Sequence, residues 1–420
     1  MPGAVVTDHA FTVPLDHADP TGPTTGVFAR EVVDPARAGE DLPWLLFLQG
    51  GPGGKAPRPL RATGGWLGHA LTAHRVLLLD QRGTGRSTPV TARSAAGFAT
   101  PEALADHLAR FRADSIVADA ELIRRRLCGD RPWRTLGQSY GGFITLTYLS
   151  LAPEGLDSCH IAGGLPDPAA TADDVYALTY RRVRDKVHAH YDRYPGDRER
   201  VRRIADLLDR HVVRLPDGDR LTSRRLRVLG LGLGMGDGSA RLHWLLDEAI
   251  GADGEPSDTF LAQVAALTGF VDNPLFAVLQ ETIYAGGGTP TGWAAARAMA
   301  GLPDFAADAD PLLLTGEMFY PWMFAEIRGL RPFEDAAHVL AARADRPDLC
   351  DRDRLAANGV PVAAVVYHDD MYVPTELSLA AARSIGSLRT WITNEWEHDG
   401  ITASGDRVLG RLLDLTAGRA

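Results

Sequence analysis

The sequence predicts an α/β protein with a mostly parallel central sheet, flanked by helices and interrupted by a large, mostly helical insertion. Short apolar runs that end in turn residues lie towards both ends of the chain, as expected of strands buried on both faces. Strand, turn and helix patterns alternate in the first part. The 420 residues are also too many for one compact core.

The individual elements follow from apolar spacing and from the turn residues between the runs. Before the insertion we predict strands at His9–Leu15, Val27–Val33, Pro43–Leu48 and His74–Leu79, a crossover helix over Pro101–Cys128, a strand at Trp133–Leu136 and a helix over Phe143–Leu151. After the insertion we predict strands at Val360–Tyr367 and Leu388–Ile392, with a helix over Glu376–Ile385 between them.

The insertion has a different pattern of apolar and charged residues. From about Asp167 to Cys350, charged residues alternate and no strand-length buried run recurs. We therefore predict three segments: residues 1–166 as the first part of the core, 167–350 as a helical cap, and 351–420 as the second part of the core. The glycine-dense run Gly230–Gly236 matches neither nucleotide-binding fingerprint, and we interpret it as a flexible cap loop.

Composition narrows the classes of function. The 54 acidic side chains exceed the 44 basic ones, so the formal net charge is −10, which argues against nucleic acid or an anionic membrane as a partner. Three scattered cysteines predict no disulfide framework. Without a signal peptide or a long apolar span, the expected location is the cytoplasm. The histidines lack ligand spacing, so we expect neither a metal nor a cofactor. The oligomeric state stays open.

A nucleophile motif lies between a predicted strand and a predicted helix. The run Gly137-Gln138-Ser139-Tyr140-Gly141 fits G-x-S-x-G, in which glycines leave room for a sharp turn that presents the serine hydroxyl. Three fixed residues also occur by chance, but the strand before the motif and the helix after it are the context that supports the motif. Ser139 is the predicted nucleophile.

A serine nucleophile requires a base and a group that orients the base. In hydrolases with this motif the partners follow in the order serine, acid, histidine. His398 lies just after the last predicted strand and is the predicted base. Asp369 and Asp370 both follow the strand Val360–Tyr367, and position alone does not choose between them.

Acyl transfer also requires donors for the negative charge that develops on the carbonyl oxygen. The backbone N–H of Tyr140, directly after the nucleophile, is one predicted donor. The second is predicted in the loop after an earlier strand, at Gly51 or next at Gly50, where the absence of a side chain permits close approach. A phosphate-binding loop is excluded there because Ala56 follows Lys55 where serine or threonine is needed.

Three motifs in order resemble those of the prolyl aminopeptidase (proline iminopeptidase) family of α/β-hydrolase-fold serine peptidases. The family carries H-G-G-P-G, D-Q-R-G-x-G-x-S and G-x-S-x-G-G; this chain has Gln49–Gly53, Asp80–Ser87 and Gly137–Gly142. The resemblance covers roughly Pro43–Leu151 and Val360–Gly400. One departure is the glutamine that replaces the first histidine of the first motif; it leaves the backbone donors intact.

The resemblance implies roles for further residues. The family's acid lies in G-R-Y-D-x-x-x-P, which aligns best here through Asp370 and Pro374 and so favours Asp370 over Asp369. Family members hold the free amino end of the substrate with cap carboxylates. Glu317, in a segment similar to the family's E-N-H-Y-F, and Glu281 are the expected counterparts, with a cap salt bridge as the alternative for either. Aromatic residues beside Glu317 are expected to form a pocket for proline: Phe319, Tyr320 and Trp322.

The expected function is a serine exopeptidase that releases an N-terminal residue, preferably proline, from short peptides with a free amino terminus. The alternative is an esterase or amidase that uses the same three residues on a small non-peptide substrate, since a fold does not determine its substrate. A non-catalytic binding protein would lack one of Ser139, Asp370 and His398, and all three are present.

Overall fold

The structure is a computed structural model that describes residues 1–284, 286 and 288–419. An eight-stranded sheet forms its centre, in the order β1-β2-β4-β3-β5-β6-β9-β10. Strands β1 and β2 pair antiparallel with their neighbours, and the other six strands run parallel. The strands are β1 (Val5–Pro14), β2 (Thr24–Val33), β3 (Trp44–Leu48), β4 (Arg75–Asp80), β5 (Trp133–Gln138), β6 (Leu156–Ala162), β7 (Val213–Arg214), β8 (Arg220–Leu221), β9 (Val362–Tyr367) and β10 (Leu388–Thr393). The predicted fold class is confirmed.

Helices cover both faces of the sheet and make up most of the cap. They are α1 (Gly65–Leu71), α2 (Ala92–Ala95), α3 (Pro101–Leu108), α4 (Ala113–Cys128), α5 (Tyr140–Leu151), α6 (Ala172–Arg193), α7 (Pro195–Arg210), α8 (Ser223–Arg227), α9 (Gly238–Asp247), α10 (Asp258–Thr268), α11 (Pro274–Leu279), α12 (Ala294–Ala300), α13 (Pro321–Glu326), α14 (Glu334–Ala342), α15 (Arg352–Ala356), α16 (Thr375–Ser384), α17 (Gly400–Ala403) and α18 (Arg407–Thr416). Within the described residues, no helix combines the length and the apolar character that crossing a membrane requires.

The alternation of side chains along each strand divides the core into two layers. In β3, Leu46 and Leu48 join a cluster that continues into the cap, whereas Leu45 and Phe47 join a second cluster with α1 and α18. Because both faces of the central strands are buried, their sequences are continuous apolar runs rather than alternating ones.

Two details of the core differ from the sequence-based prediction. Strand β6 was not predicted, because its sequence LDSCHIA carries polar residues; its fully buried His160 is satisfied by the Thr135 carbonyl (2.9 Å) and the Thr416 hydroxyl (3.1 Å). The single helix predicted over Pro101–Cys128 is wrong. Arg112 is extended (φ −81°, ψ 174°) and separates α3 from α4.

Between β6 and β9 the described chain adds no strand to the central sheet. This part consists of helices α6 to α15, short 3₁₀ turns and the two-stranded β7–β8 pair. The run that we interpreted as a flexible loop is mostly a 3₁₀ helix, Val228–Gly234. Its glycines permit tight packing: a Cβ on Gly234 would lie 2.3 Å from the ring of Tyr372.

Candidate active site

The turn between β5 and α5 holds Ser139 in an uncommon conformation. Its φ of 56° lies in the left-handed region, where a residue other than glycine is strained. The turn is also closely packed, since a Cβ on Gly141 would lie 2.0 Å from the Leu48 carbonyl oxygen and one on Gly164 would lie 2.0 Å from the Ser139 carbonyl oxygen. The predicted requirement for small residues around the serine therefore has a direct steric cause.

The loop after β3 approaches Ser139 from the other side. A Cβ on Gly50 would lie 2.7 Å from the Ser139 Cβ, and Gly51 has a φ of +125° that strongly favours glycine. The Gln81 side chain anchors the loop by donating to the Gln49 carbonyl oxygen at 2.7 Å. Tyr140 is the first residue of α5, so its N–H has no partner inside the helix. The loop after β3 and the first residue of α5 therefore both lie beside Ser139, and the role of their N–H groups as donors to an anionic oxygen stays a prediction.

His398 and Asp370 form a buried pair. The His398 Nδ1 lies 2.7 Å from the Asp370 Oδ2, while the Asp370 Oδ1 accepts from the N–H groups of Tyr372 (2.8 Å) and Val373 (3.0 Å). Because an ionised carboxylate only accepts, Nδ1 carries the proton and Nε2 is left as the basic nitrogen. Burial lowers the pKa of His398, the carboxylates of Asp370, Glu317 and Asp399 together raise it, and the net pKa lies above the usual value. Asp369 instead pairs with His368 at an exposed position.

A cavity of about 910 Å³ brings the predicted groups together. Its walls include Ser139, His398, Gly50, Gly51 and Glu317. Its other walls come from the cap, chiefly from the Val228–Gly234 turn, α9 and α10.

Glu317 is partly buried in this cavity without a cationic partner among the described residues. Its Oε2 accepts from the Gln280 side-chain amide at 3.0 Å. Burial raises the pKa of Glu317 to about 8; the neighbouring Asp370 adds to this effect, whereas His398 opposes it. A buried carboxyl that lacks a cation and faces a cavity is poised to receive a positively charged ligand.

Comparison with known proteins identifies the family. The model of the alpha/beta hydrolase fold matches residues 43–222. The proline iminopeptidase of Aeromonas sobria is 48% identical over 410 residues, which cover 97% of this chain and 95% of that protein. The proline iminopeptidase aneH of Aspergillus aculeatus is 33% identical over 97% of this chain and 93% of its own length. The chain belongs to the proline iminopeptidase family. It is a hydrolase with the α/β-hydrolase fold, and the predicted resemblance is confirmed.

Among solved structures, the proline iminopeptidase of Mycobacterium smegmatis is similar to this chain with a TM-score of 0.44 and 16% identity. The match covers 98% of this chain and 100% of that chain. Within residues 1–284, 286 and 288–419, no group of three or more histidine, cysteine, aspartate or glutamate side chains is arranged to hold a metal ion.

Glu281 is the second predicted substrate-binding carboxylate. Its surroundings differ from those of Glu317. Its Oε1 accepts from the N–H of Ala295 in the first turn of α12 at 3.0 Å, and its Oε2 has no hydrogen-bond partner among the described residues. Burial raises the pKa of Glu281, against the opposing hydrogen bond from the Ala295 N–H. Glu281 does not line the cavity that holds Ser139, and its contact with an amine stays a prediction.

The aromatic residues beside Glu317 are not among the described residues that line the cavity. Phe319 is buried and packs edge-on against Phe276, with ring centroids 5.0 Å apart, and Phe276 itself lines the cavity. Tyr320 stacks with Trp322 and shares a hydrogen bond of 2.9 Å with the Tyr180 hydroxyl. The described lining residues thus include Phe276 rather than the three predicted aromatics.

Sequence analysis missed the contacts through which the cap holds the loop of His398. The His398 N–H donates to the Gly234 carbonyl (3.2 Å), the Gly236 N–H donates to Asp399 (3.2 Å), and Lys186 binds Glu397 (2.5 Å). Gln280 was also missed, although it directly precedes Glu281 and is likewise a polar residue in an apolar stretch.

Proposed function

We propose that the protein releases an N-terminal residue, preferably proline, from short peptides through an acyl-enzyme on Ser139. The observation that carries this proposal is the carboxyl of Glu317, which lies in the same cavity as Ser139 and His398 and has no cationic partner among the described residues. The activity named for the two full-length relatives supports the same assignment.

In the proposed reaction, the Ser139 hydroxyl attacks the carbonyl carbon of the first residue while His398 Nε2 takes its proton. Asp370 holds the imidazole through Nδ1 and stabilises the imidazolium. The N–H groups of Tyr140 and Gly51 bind the oxyanion, and His398 then returns the proton to the departing amine nitrogen. A water molecule, activated by the same histidine, hydrolyses the acyl-enzyme and frees the N-terminal residue.

Glu317 supplies the restriction to the chain terminus. A free ammonium that pairs with Glu317 places the first carbonyl beside Ser139, whereas a blocked amine carries no charge and gains no such pairing. Because the pKa of Glu317 is about 8 in the free enzyme, binding of the ammonium releases a proton from this carboxyl near neutral pH. This coupling makes substrate binding dependent on pH.

The test is hydrolysis of a set of aminoacyl arylamides with free amino termini, in which proline is compared with alanine and leucine. We expect the proline arylamide to have the highest kcat/KM. Ser139→Ala should reduce kcat at least about 10⁴-fold, because the acyl-enzyme can no longer form. Equal activity of a pure Ser139→Ala preparation would contradict the mechanism. Hydrolysis of an aryl ester with no hydrolysis of any amide would favour the esterase alternative.

A further inference from the structure

The cavity wall formed by the cap is mostly apolar and extends to the molecular surface, although Asp237, Arg241, Glu248 and Gln263 also line the cavity. We call it the apolar wall and define it by six residues: Leu231, Met235, Leu242, Trp244, Leu245 and Leu267. Leu242 and Leu245 are each 5% exposed and form its buried part. Trp244, Leu267 and Met235 are 63%, 58% and 38% exposed, which is unusual for large apolar side chains that lie together on a cavity.

The direction of the substrate follows from the proposed function, on which this inference rests. An exopeptidase substrate has a single residue on the amine side of the scissile bond, and that residue lies between Glu317 and Ser139. Every later residue belongs to the leaving group. A cavity of about 910 Å³ is at the upper end of the range for small-molecule sites, so it has room beyond one residue. The remaining room is bounded by the apolar wall.

We propose that the apolar wall binds the leaving peptide, and that the protein prefers substrates with large apolar side chains at the first two positions after the N-terminal residue. Burial of apolar area against Trp244, Leu267 and Met235 is favourable in proportion to the area removed from water. A leaving peptide of glycine or of charged residues gains little from this wall. Selectivity therefore acts on the departing part of the substrate in addition to the N-terminal residue.

The apolar wall is also connected to the catalytic histidine. The Leu231 carbonyl accepts from the Tyr372 hydroxyl at 2.5 Å, and the Tyr372 ring lies edge-on to His398 with centroids 4.7 Å apart. The Gly234 carbonyl, one residue before Met235, accepts from the His398 N–H. A leaving peptide that packs on Leu231 and Met235 thus contacts the segment that orients the base, and binding energy gained there is available for positioning.

The experiment compares kcat/KM for two tripeptide amides, Pro-Phe-Phe-NH₂ and Pro-Gly-Gly-NH₂, with release of proline as the readout. For the wild type we expect a ratio of about 10 to 100 in favour of the phenylalanine peptide. The double variant Trp244→Ala/Leu267→Ala should bring the ratio close to one. Leu151→Ala is the matched control, because Leu151 is 49% exposed on α5 and does not line the cavity; its ratio should equal that of the wild type.

The outcomes separate this inference from the proposed function. If both peptides lose proline at similar rates in the wild type, or if the double variant keeps the full ratio, the role of the apolar wall is wrong while the exopeptidase activity stands. If neither peptide nor the proline arylamide is cleaved, the proposed function fails and this inference fails with it. A ratio that falls equally in Leu151→Ala would also overturn the inference, because the effect would then not belong to the cavity.

Discussion

Glu317 and Glu281 occupy similar sequence surroundings, since each is a single carboxylate in an apolar and aromatic stretch of the cap. Their positions in the fold differ. Glu317 lines the cavity of Ser139 and accepts a hydrogen bond from the neutral side-chain amide of Gln280. Glu281 is directed at the first turn of α12 and accepts from the N–H of Ala295. A buried carboxylate is thus available to a ligand only where it is not already needed as an acceptor for a backbone N–H group of the fold. The following predictions test this difference between Glu317 and Glu281.

The largest difference is expected in catalysis. Glu317→Gln removes the charge that pairs with the substrate ammonium but keeps the shape of the side chain. Loss of one partner of a buried charged pair costs about 2 to 4 kcal/mol, so kcat/KM for a free-amine proline arylamide should fall about 30- to 1,000-fold. Glu281→Gln is the matched control and should lower it less than about tenfold. Equal losses in the two variants would show that the contrast in position has no functional meaning.

The pH dependence should distinguish the two residues next. The pKa of Glu317 is about 8, and ammonium binding requires the ionised carboxylate, so its ionisation should contribute about tenfold per pH unit to the rise in kcat/KM of the wild type from pH 6.5 to about 8, in addition to the rise from deprotonation of His398. Glu317→Gln should lose this part of the profile, and Glu281→Gln should keep it. Initial rates at low substrate concentration across this range provide the measurement. A profile that is unchanged by Glu317→Gln would contradict the assignment.

Stability should respond to Glu317 in the direction opposite to activity. Its pKa is about 8 in the folded protein against 4.5 for an unperturbed glutamate, so the folded state binds more protons between these values and stability falls as pH rises through them. Glu317→Gln should therefore be more stable than the wild type by about 1 to 4 kcal/mol above pH 8, and the gain should vanish near pH 4. Thermal unfolding at several pH values measures this difference.

The smallest effect is expected for the structural contact of Glu281. Glu281→Leu removes the acceptor of the Ala295 N–H at the start of α12, and loss of such a helix-start acceptor costs about 1 to 2 kcal/mol. We expect a lower Tm than that of Glu281→Gln, which retains an acceptor oxygen. An unchanged Tm in Glu281→Leu would show that this contact does not stabilise the cap.

The sheet was the part of the fold most open to prediction. Buried parallel strands such as β3 and β9 are continuous apolar runs. The G-x-S-x-G motif around Ser139 predicts a sharp turn between a strand and a helix. Strand β6 escaped because its polar residues are satisfied by partners distant in sequence; His160 bonds to Thr416. Such a partner is known only once the fold is known.

For the candidate site, the sequence indicated individual residues but not the contacts between them. The order of motifs along the chain indicated Ser139 and His398, the family resemblance favoured Asp370, and the structure brings Asp370 rather than Asp369 against the histidine. The different surroundings of Glu317 and Glu281 depend on which cap segments pack against each other. The pattern of a single sequence does not show which segments are in contact. The contact between Gly234 and the His398 loop joins the cap to the second part of the core, far apart in sequence, so the sequence did not reveal it for the same reason.

The most direct test of the central claim is the discrimination between a free and a blocked amino terminus. The ratio of kcat/KM for proline arylamide to that for its N-acetyl derivative should be measured in the wild type, Glu317→Gln and Glu281→Gln. We predict a ratio above about 100 in the wild type and in Glu281→Gln, and a ratio below about 10 in Glu317→Gln. A wild-type ratio near one, or an undiminished ratio in Glu317→Gln, would contradict the claim that this carboxylate binds the free amino terminus.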